Sequence, residues 1–312
     1  MALQNTLKQI NDASVILKAA FQKKLSTITL PLLEQLAMKS PSTSSGETYT
    51  GLNAVPKISE FTDERKVKQL LGKIYTILNK KWESTMSVKR EDIERDHLGM
   101  YTARVKEMAS KAKMHPLELL ISMLSAGDTA AYGLCYDGQY FFDTDHAEGN
   151  SGNQSNKLSG SGTNISQFQT DYLAAKAAMK AFKDDQGEPF FGEGLELEGN
   201  LLVVVPLGLE AVAKAVLTAE TLSGSTNTLR GEAKVIASSR LTAADSTDWY
   251  LIYTGGDLKP FINQEEVPVE FVALDNPQTN EAAFMRDEFL YGTYARYNVG
   301  YGLWQYAIKT VN

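Results

Sequence analysis

Two carboxylates and an imidazole stand close together near the middle of the chain, at Asp143, Asp145 and His146. Carboxylate oxygens and imidazole nitrogens are common ligands of divalent metals, and on a strand the two aspartates would point to one face. This spacing raises the hypothesis of a metal-dependent hydrolase. A structural interpretation competes with it and is favoured. In that interpretation Asp137-Gly138 forms a turn, and the polar residues cap the end of a strand through local hydrogen bonds.

Other sequence signatures of catalysis are weak or missing. Cys135 is the single cysteine, which excludes an internal disulfide and a cysteine-rich zinc site. We interpret it as a buried apolar residue, because no base is evident to activate the thiol. The phosphate-loop signatures Gly-Lys-Ser and Gly-Lys-Thr do not occur, and Gly192, Gly194 and Gly199 precede a strand, in the wrong order for a dinucleotide-binding turn. We therefore expect no catalytic residues, no metal, no cofactor and no enzyme activity.

The composition is typical of a folded, acidic protein. The chain has 312 residues, 43% of them hydrophobic, with a formal net charge of -7 and an isoelectric point near 5.2. This length suits one elaborated domain or two. The charge argues against tight, charge-driven binding to nucleic acid but allows weak contact with DNA. We find no apolar run of about 18 residues that could cross a membrane and no signal peptide, so we expect the protein to stay where it is made.

The first part of the chain predicts an arm, a connector and long helices. Apolar residues recur at helical spacing in residues 1–38. Residues 40–46, rich in serine, predict an exposed connector, and residues 62–71 predict a short helix. Helical spacing returns in residues 96–125, where we expect Pro116 to kink or restart the helix, giving about two helical pieces, because proline lacks the backbone donor.

A long β-hairpin is predicted between these helices. Residues 73–79 and 84–90 are rich in β-branched and aromatic residues, and residues 79–81 separate them as a turn. Few of the side chains are large and apolar, so the hairpin needs a surface outside itself to pack against. Its cations are a solvated edge that blocks unwanted strand pairing or a contact surface for an acidic neighbour of the same chain. The candidate contact residues are Lys73, Lys80, Lys81, Trp82, Lys89 and Arg90.

The second part of the chain predicts an α/β block and a returning strand. Residues 149–163 are rich in Gly, Ser and Asn and predict a flexible loop. Residues 166–275 alternate helical and strand patterns, as in a compact α/β domain. Its predicted elements are a helix at 172–182, a strand buried on both sides at 201–205, a helix at 209–217 and strands at 235–238 and 249–253. The aromatic, glycine-rich tail at 289–311 predicts a strand that returns to the earlier part of the chain.

Several separated segments of the chain, in the same order, resemble the Mu-like phage major head subunit family. These segments are Asp92-Ile93-Glu94-Arg95-Asp96-His97-Leu98-Gly99, Gly133-Leu134-Cys135-Tyr136-Asp137-Gly138, Phe141-Phe142-Asp143-Thr144-Asp145-His146, Leu202-Val203-Val204-Val205-Pro206 with Leu209-Glu210, and Tyr291-Gly292 with Ala295-Arg296 and Val299-Gly300-Tyr301-Gly302-Leu303-Trp304. Where the family is expected to have a tryptophan after Tyr49, this chain reads Thr50-Gly51-Leu52-Asn53.

The resemblance implies the α+β fold of tailed-phage major capsid proteins, called Hong Kong 97-like. That fold has an N-terminal arm, an extended loop, a peripheral domain with a long spine helix, and an axial domain. Here the implied boundaries are 1–60 for the arm, 61–95 for the extended loop with its hairpin at about 73–92, 96–165 and 276–312 for the peripheral domain, and 166–275 for the axial domain.

The resemblance also implies a structural function. The protein is expected to self-assemble into hexamers and pentamers that form the icosahedral shell around phage DNA. Trp82, near the predicted hairpin tip, is the expected anchor between copies, since buried aromatic residues dominate interfaces. Further expected partners are scaffold, portal and decoration proteins and, weakly, the packaged DNA. The expected location is the virion, after assembly in the cytoplasm of a bacterial host. The alternatives are the hydrolase above and the shell of an encapsulin-like cellular compartment.

Overall fold

The computed structural model describes residues 2–50, 74–95, 97–192, 196–222, 224–276 and 280–312. Its helices are α1 (Ala2–Thr27), α2 (Pro31–Leu36), α3 (Arg90–Glu94), α4 (Leu98–Ser125), α5 (Ile165–Lys180), α6 (Glu210–Leu217), α7 (Ser239–Ala244) and α8 (Glu281–Arg286). Its strands are β1 (Ala37–Pro41), β2 (Gly46–Thr50), β3 (Ile74–Leu78), β4 (Lys80–Lys89), β5 (Lys157–Ser159), β6 (Leu201–Pro206), β7 (Thr221–Leu222), β8 (Ser225–Thr226), β9 (Ala233–Ser238), β10 (Trp249–Tyr253), β11 (Phe261–Leu274), β12 (Glu288–Tyr301) and β13 (Ala307–Val311). None of the helices in these ranges is long and apolar enough to cross a membrane.

The first sheet has four strands in the order β1-β11-β12-β4. β1 runs parallel to β11, and β12 runs antiparallel to both β11 and β4. Along β12 every second side chain from Phe289 to Tyr301 is buried, which is the period of a strand with one face on the core. Helices α1 and α4 cover that face. The tail strand predicted at 289–311 is therefore present, but it is divided into β12 and β13.

Helix α1 packs along α4 through a narrow apolar stripe. Ile10, Ala13, Leu17 and Phe21 are spaced three or four residues apart and are at most 1% exposed, so they share one helix face. They form a common core with residues of α4 and the four-stranded sheet. The helical prediction for residues 1–38 is confirmed for α1 and α2, while β1 takes up its last two residues.

Helix α4 is one continuous helix of 28 residues with Pro116 inside it. The predicted division into two pieces at Pro116 is wrong. Proline removes one backbone hydrogen bond, but the apolar residues of the following turns outweigh that loss. Leu120 and Leu124 are fully buried in the main core, and burial of two leucines stabilises the helix by several kcal/mol, at about 2 kcal/mol each.

The second sheet has five strands in the order β5-β13-β10-β6-β9. β6 is buried at all six positions, as predicted for a continuous apolar strand, and it lies between antiparallel β10 and parallel β9. Helices α5 and α6 and strands β9 and β10 confirm the elements predicted there. The loop predicted at 149–163 contains β5, which pairs in parallel with β13, so part of this glycine-rich segment belongs to the sheet.

The hairpin predicted at about 73–92 is wrong in its pairing. β3 pairs with β2, and β4 pairs with β12 over ten residue pairs. Asn79 is the one residue between β3 and β4, and the tightest common hairpin loop needs two. The Asn79 amide nitrogen donates instead to Ser42 Oγ at 2.8 Å, and its oxygen accepts from Gln264 Nε2 at 2.7 Å. The helix predicted at 62–71 lies outside the described residues.

The two sheets exchange segments across the predicted domain boundaries. β11 falls within the predicted axial block at 166–275 but pairs with β12 in the four-stranded sheet. β13 falls within the predicted peripheral segment at 276–312 but pairs with β10 in the five-stranded sheet. Strand pairing therefore assigns residues 261–274 to the first sheet and residues 307–311 to the second.

Gly300 provides a test of how the β2–β3 pair is attached to the first sheet. A methyl group at Gly300 would overlap Ile77 and lie 3.0 Å from Tyr75 Oη, the atom that accepts the backbone N–H of Tyr301 at 2.9 Å. We expect Gly300→Ala to lower the free energy of unfolding by about 1–3 kcal/mol through overpacking. Faster amide exchange in β3 and a lower unfolding temperature would be measured.

Gly208→Ala is the matched control, since an added methyl there meets no atom within 4 Å. It should change the free energy of unfolding by less than about 0.5 kcal/mol. Equal unfolding temperatures and equal β3 exchange in the two variants would contradict the close contact of β3 with β12.

Candidate assembly surface

β4 forms an outer edge of the four-stranded sheet. It pairs with β12 on one side and with no described strand on the other, so its second edge can accept further contacts. Its side chains alternate in exposure except at Lys80 and Ser84, which are exposed. Those from Lys81 to Lys89 at odd positions are exposed, whereas Trp82, Met86 and Val88 face α1 and α4 and are half-buried or buried.

Trp82 packs against its own subunit rather than at a hairpin tip. Its ring lies 4.4 Å from the His115 ring of α4 and 5.9 Å from the Tyr297 ring of β12. Its Nε1–H donates to the Tyr297 carbonyl oxygen at 2.9 Å. His115 Nδ1 and Tyr297 Oη are 2.7 Å apart, and burial lowers the pKa of His115. The ring is half-buried, so part of it is exposed to solvent.

A groove of about 580 Å³ opens beside Trp82, between β4, β12 and the middle of α4. Its apolar wall includes Met86 and Met108. Its rim carries opposite charges, with Lys111 paired to Glu107 at 3.2 Å. The groove combines an apolar floor with a polar rim, which is the arrangement found in protein interfaces.

The predicted contact cations divide into three groups. Lys80, Lys81 and Lys89 are exposed on β4. Arg90 is turned toward its own subunit, where its Nε lies 3.1 Å from Asp287 Oδ1 and its guanidinium lies 5.7 Å from the Phe289 ring centre. Lys73 lies outside the described residues. The structure therefore leaves the three β4 lysines accessible and gives Arg90 an internal role.

The candidate metal residues do not converge. Asp145 is exposed, Asp143 is half-buried, and His146 is fully buried. Asp143 instead accepts the backbone N–H of Thr144 at 2.8 Å, which is the local capping favoured from the sequence. In the described part of the chain, no group of three His, Cys, Asp or Glu side chains is placed to hold a metal.

His146 belongs to a buried hydrogen-bond network. Its Nδ1 lies 2.5 Å from Asp137 Oδ2, and its Nε2 lies 3.1 Å from Asn156 Oδ1. Both ring nitrogens thus face oxygen acceptors, and neither points to space that a metal could occupy. The ring also stacks on Trp304, with centres 4.1 Å apart and planes 8° from parallel.

Asn156 is the centre of this network. Its amide nitrogen donates to the carbonyl oxygens of Phe141 at 2.7 Å, Ala307 at 3.1 Å and Trp304 at 3.3 Å. Its oxygen also accepts the Asp143 backbone N–H at 2.9 Å. One fully buried side chain therefore joins the loop after α4 to the chain between β12 and β13. No local sequence pattern indicates this role for Asn156, since its partners are mostly distant backbone groups.

The other buried titratable groups near the network lack a catalytic arrangement. Burial raises the pKa of the Cys135 thiol, which keeps it protonated and a poor nucleophile. Burial also raises the pKa of Glu148, whose Oε1 accepts the Trp304 Nε1–H at 3.2 Å. Both residues are buried and pack in the core.

Comparison with known proteins identifies relatives across the whole described fold. The family model of the Mu-like prophage major head subunit gpT matches residues 10–168, 166–241 and 237–312. The Mu-like prophage FluMu major head subunit of Haemophilus influenzae is 28% identical over 274 residues, 88% of this chain and 64% of that protein. The major capsid protein of Escherichia phage Mu is 37% identical over 112 residues, 36% of each chain. The chain thus spans less than two thirds of the length of these two relatives.

A solved structure of similar fold is the procapsid of bacteriophage JBD30. The chains are 30% identical, with a TM-score of 0.59, over 97% of this chain and 75% of the procapsid chain. The fold is therefore that of tailed-phage capsid proteins, as the sequence predicted.

Asn156→Ala tests whether the network fastens the two sheets. The substitution removes the side-chain donor to the carbonyl oxygens of Phe141 and Ala307, whereas the Trp304 carbonyl oxygen still accepts the Ala307 backbone N–H. Each buried unsatisfied group costs about 1–3 kcal/mol. We expect the free energy of unfolding to fall by about 3 kcal/mol or more, which lowers the unfolding temperature by roughly 6–12 °C. Thermal unfolding followed by circular dichroism measures this. Asn153→Ala, at an exposed position of the same loop, is the control, and equal unfolding temperatures for the two variants would refute the network's role.

Proposed function

Because the chain belongs to the family of Mu-like prophage major head subunits, we propose that it is a major capsid protein whose copies assemble into an icosahedral phage head. The observation that carries this proposal is the family match that runs from residue 10 to residue 312. The likeness to the JBD30 procapsid chain over 97% of this chain supports it. Nothing in the geometry of Asp143, Asp145 and His146 favours the hydrolase alternative.

Assembly into hexamers and pentamers is the finer part of the proposal. The block around the five-stranded sheet acts as the axial domain near the symmetry axes. The four-stranded sheet with α1 and α4 acts as the peripheral domain, and α4 is its spine helix. The strand exchange between the sheets supports boundaries near residues 261 and 307 in place of 275 and 276. Ring-forming, head-to-tail contacts of this kind close into symmetric assemblies, and many weak contacts add up in a closed shell.

The β2–β3 pair is the better candidate for the base of the extended loop. Its strands are joined through residues 51–73, outside the described residues, and they pair in register from Gly46↔Leu78 to Thr50↔Ile74. Ile74 and Leu78 lie on one face and are 71% and 64% exposed. Apolar side chains that project so far into solvent are suited to cover by another chain. We assign that cover to a neighbouring copy.

The remaining partners follow from the same role. A phage shell of this family would meet scaffold and portal proteins during assembly, decoration proteins on its outer surface, and packaged DNA on its inner surface. The acidic net charge of -7 favours weak contact with the genome, so that packaging is not stalled by tight binding. The assembled protein would be part of the virion, after assembly in the cytoplasm of a bacterial host.

Negative-stain microscopy of the purified chain tests the proposal. After size-exclusion chromatography we expect rings, tubes or closed shells. The double variant Lys80→Glu with Lys81→Glu reverses two exposed charges of β4 and should reduce the shell yield, whereas Lys183→Glu with Lys234→Glu makes the same charge change elsewhere and should not. A chain that stays monomeric both alone and with the scaffold protein of its own phage would contradict the proposal. Equal shell yields for the two double variants would contradict the assignment of β4.

Trp82→Ala tests the anchor predicted from the sequence. The subunit should fold but lose about 2 kcal/mol, since a half-buried aromatic ring is removed, and its shell yield should fall further than this loss explains. Val88→Ala removes buried apolar surface from the same strand without changing the exposed part of the groove, and it supplies a stability-matched control. Shell yield is measured at a temperature where both variants are folded. An unchanged yield for Trp82→Ala would rule out Trp82 as an anchor.

A further inference from the structure

Positive charge is concentrated in the two long helices of this acidic protein. Helix α1 carries four lysines and one aspartate, and α4 carries one arginine and three lysines against two glutamates. The two helices therefore have a formal charge of +5, while the whole chain has -7. The remaining residues account for -12, so the charges are segregated between one helical layer and the rest of the molecule.

The packing of α1 against α4 turns most of these cations outward. The stripe from Ile10 to Phe21 on α1 is buried against α4 and the sheet, so the opposite face of each helix is left at the surface. Lys18, Lys23 and Lys106 are all exposed, whereas Arg104 lines the groove beside Trp82. No described residue forms an ion pair with any of these three lysines, which leaves their charges available to an external anion.

We infer that the layer formed by α1 and α4 is the surface that meets the phosphate backbone of duplex nucleic acid. This inference rests on the proposed function, because it states which side of the subunit faces the packaged genome. Charge complementarity carries it, since lysine and arginine side chains supply most of the contacts that proteins make with phosphate groups.

The dimensions of the layer suit a duplex. A helix of 26 or 28 residues is about 40 Å long at about 1.5 Å per residue. Double-stranded DNA carries one charge per roughly 1.7 Å of its axis, so a layer of this length lies beside about 20 phosphates. The layer offers far fewer cations than phosphates, and Asp12 and Glu107 offset part of its charge. Binding is therefore weak, independent of sequence and strongly dependent on salt.

The experiment measures binding of a fluorescent DNA duplex to the purified, unassembled chain by fluorescence anisotropy. The salt concentration is varied from about 25 to about 200 mM, a range over which phosphate contacts lose much of their affinity. The triple variant Lys18→Gln, Lys23→Gln, Lys106→Gln removes three exposed cations of the layer. The control triple variant Lys183→Gln, Lys214→Gln, Lys234→Gln removes three exposed cations of the five-stranded block, so both variants have the same net charge.

The unmodified chain should bind with a dissociation constant in the range of about 10⁻⁴–10⁻⁶ M near physiological salt. In the layer variant, the slope of log K against log salt should become shallower by about 0.9 for each contacting cation removed. The control variant should keep the slope of the unmodified chain. Equal slopes in the two variants, or no binding even at the lowest salt, would overturn the inference.

A competitor distinguishes nucleic acid from an acidic protein partner. Polyglutamate at equal charge concentration should displace the duplex poorly, because its charge density along the chain is lower. If polyglutamate binds the layer more tightly than the duplex does, the surface belongs to an acidic protein and the inference is overturned. The assay is independent of shell formation. Failure of the slope test leaves the microscopy result standing, and failure of assembly leaves the slope test standing.

Discussion

The antiparallel pairing of β12 with both β11 and β4 is the constraint on which the rest of the structure depends. β12 is 14 residues long, and its buried face forms the floor on which α1 and α4 pack. Its pairing with β4 holds Trp82 opposite Ala295 and so shapes the groove beside α4. At its C-terminal end the backbone N–H of Gly302 donates to the Pro260 carbonyl oxygen at 2.8 Å, and the chain then crosses to β13 in the second sheet.

The segment that crosses from β12 to β13 explains why His146, a candidate metal ligand from the sequence, has a structural role. Trp304 lies in the crossing segment, and His146 stacks on it while hydrogen bonding to Asp137 and Asn156. A buried polar group is costly unless it is hydrogen bonded, so such a network requires one arrangement of the loop against the crossing segment. The same groups that resemble metal ligands in the sequence therefore fix the two sheets to each other.

The distribution of charge and apolar surface is consistent with the proposed assembly from many copies of the chain. Apolar side chains remain exposed on the β2–β3 pair, and lysines remain exposed along the free edge of β4. The basic helical layer lies on the covered face of the four-stranded sheet. The β2–β3 pair lies outside that layer, whereas the groove beside Trp82 shares Arg104 and Lys111 with α4.

The sequence by itself determined the elements whose periodicity is local and the family to which the chain belongs. The stripe from Ile10 to Phe21, the apolar run of β6 and the alternation of β12 all follow from one helix face or one strand face being buried. Helix α4 was predicted in place but wrongly divided at Pro116, because tertiary packing of its later turns exceeds the local cost of proline. Of the candidate contact residues, Lys80, Lys81 and Lys89 are exposed on β4, and their role as contacts between copies stays a prediction.

Only the tertiary structure decided how the strands pair and which groups meet. β3 and β4 are adjacent in sequence, yet each pairs with a strand distant in sequence, since pairing depends on which sheet edge is free and on the packing beneath it. Asn156 and His146 gain their roles from carbonyl and carboxylate groups that no local pattern reveals. The basic layer likewise exists because two helices more than 70 residues apart in sequence pack side by side through apolar residues, which leaves Lys18, Lys23 and Lys106 exposed.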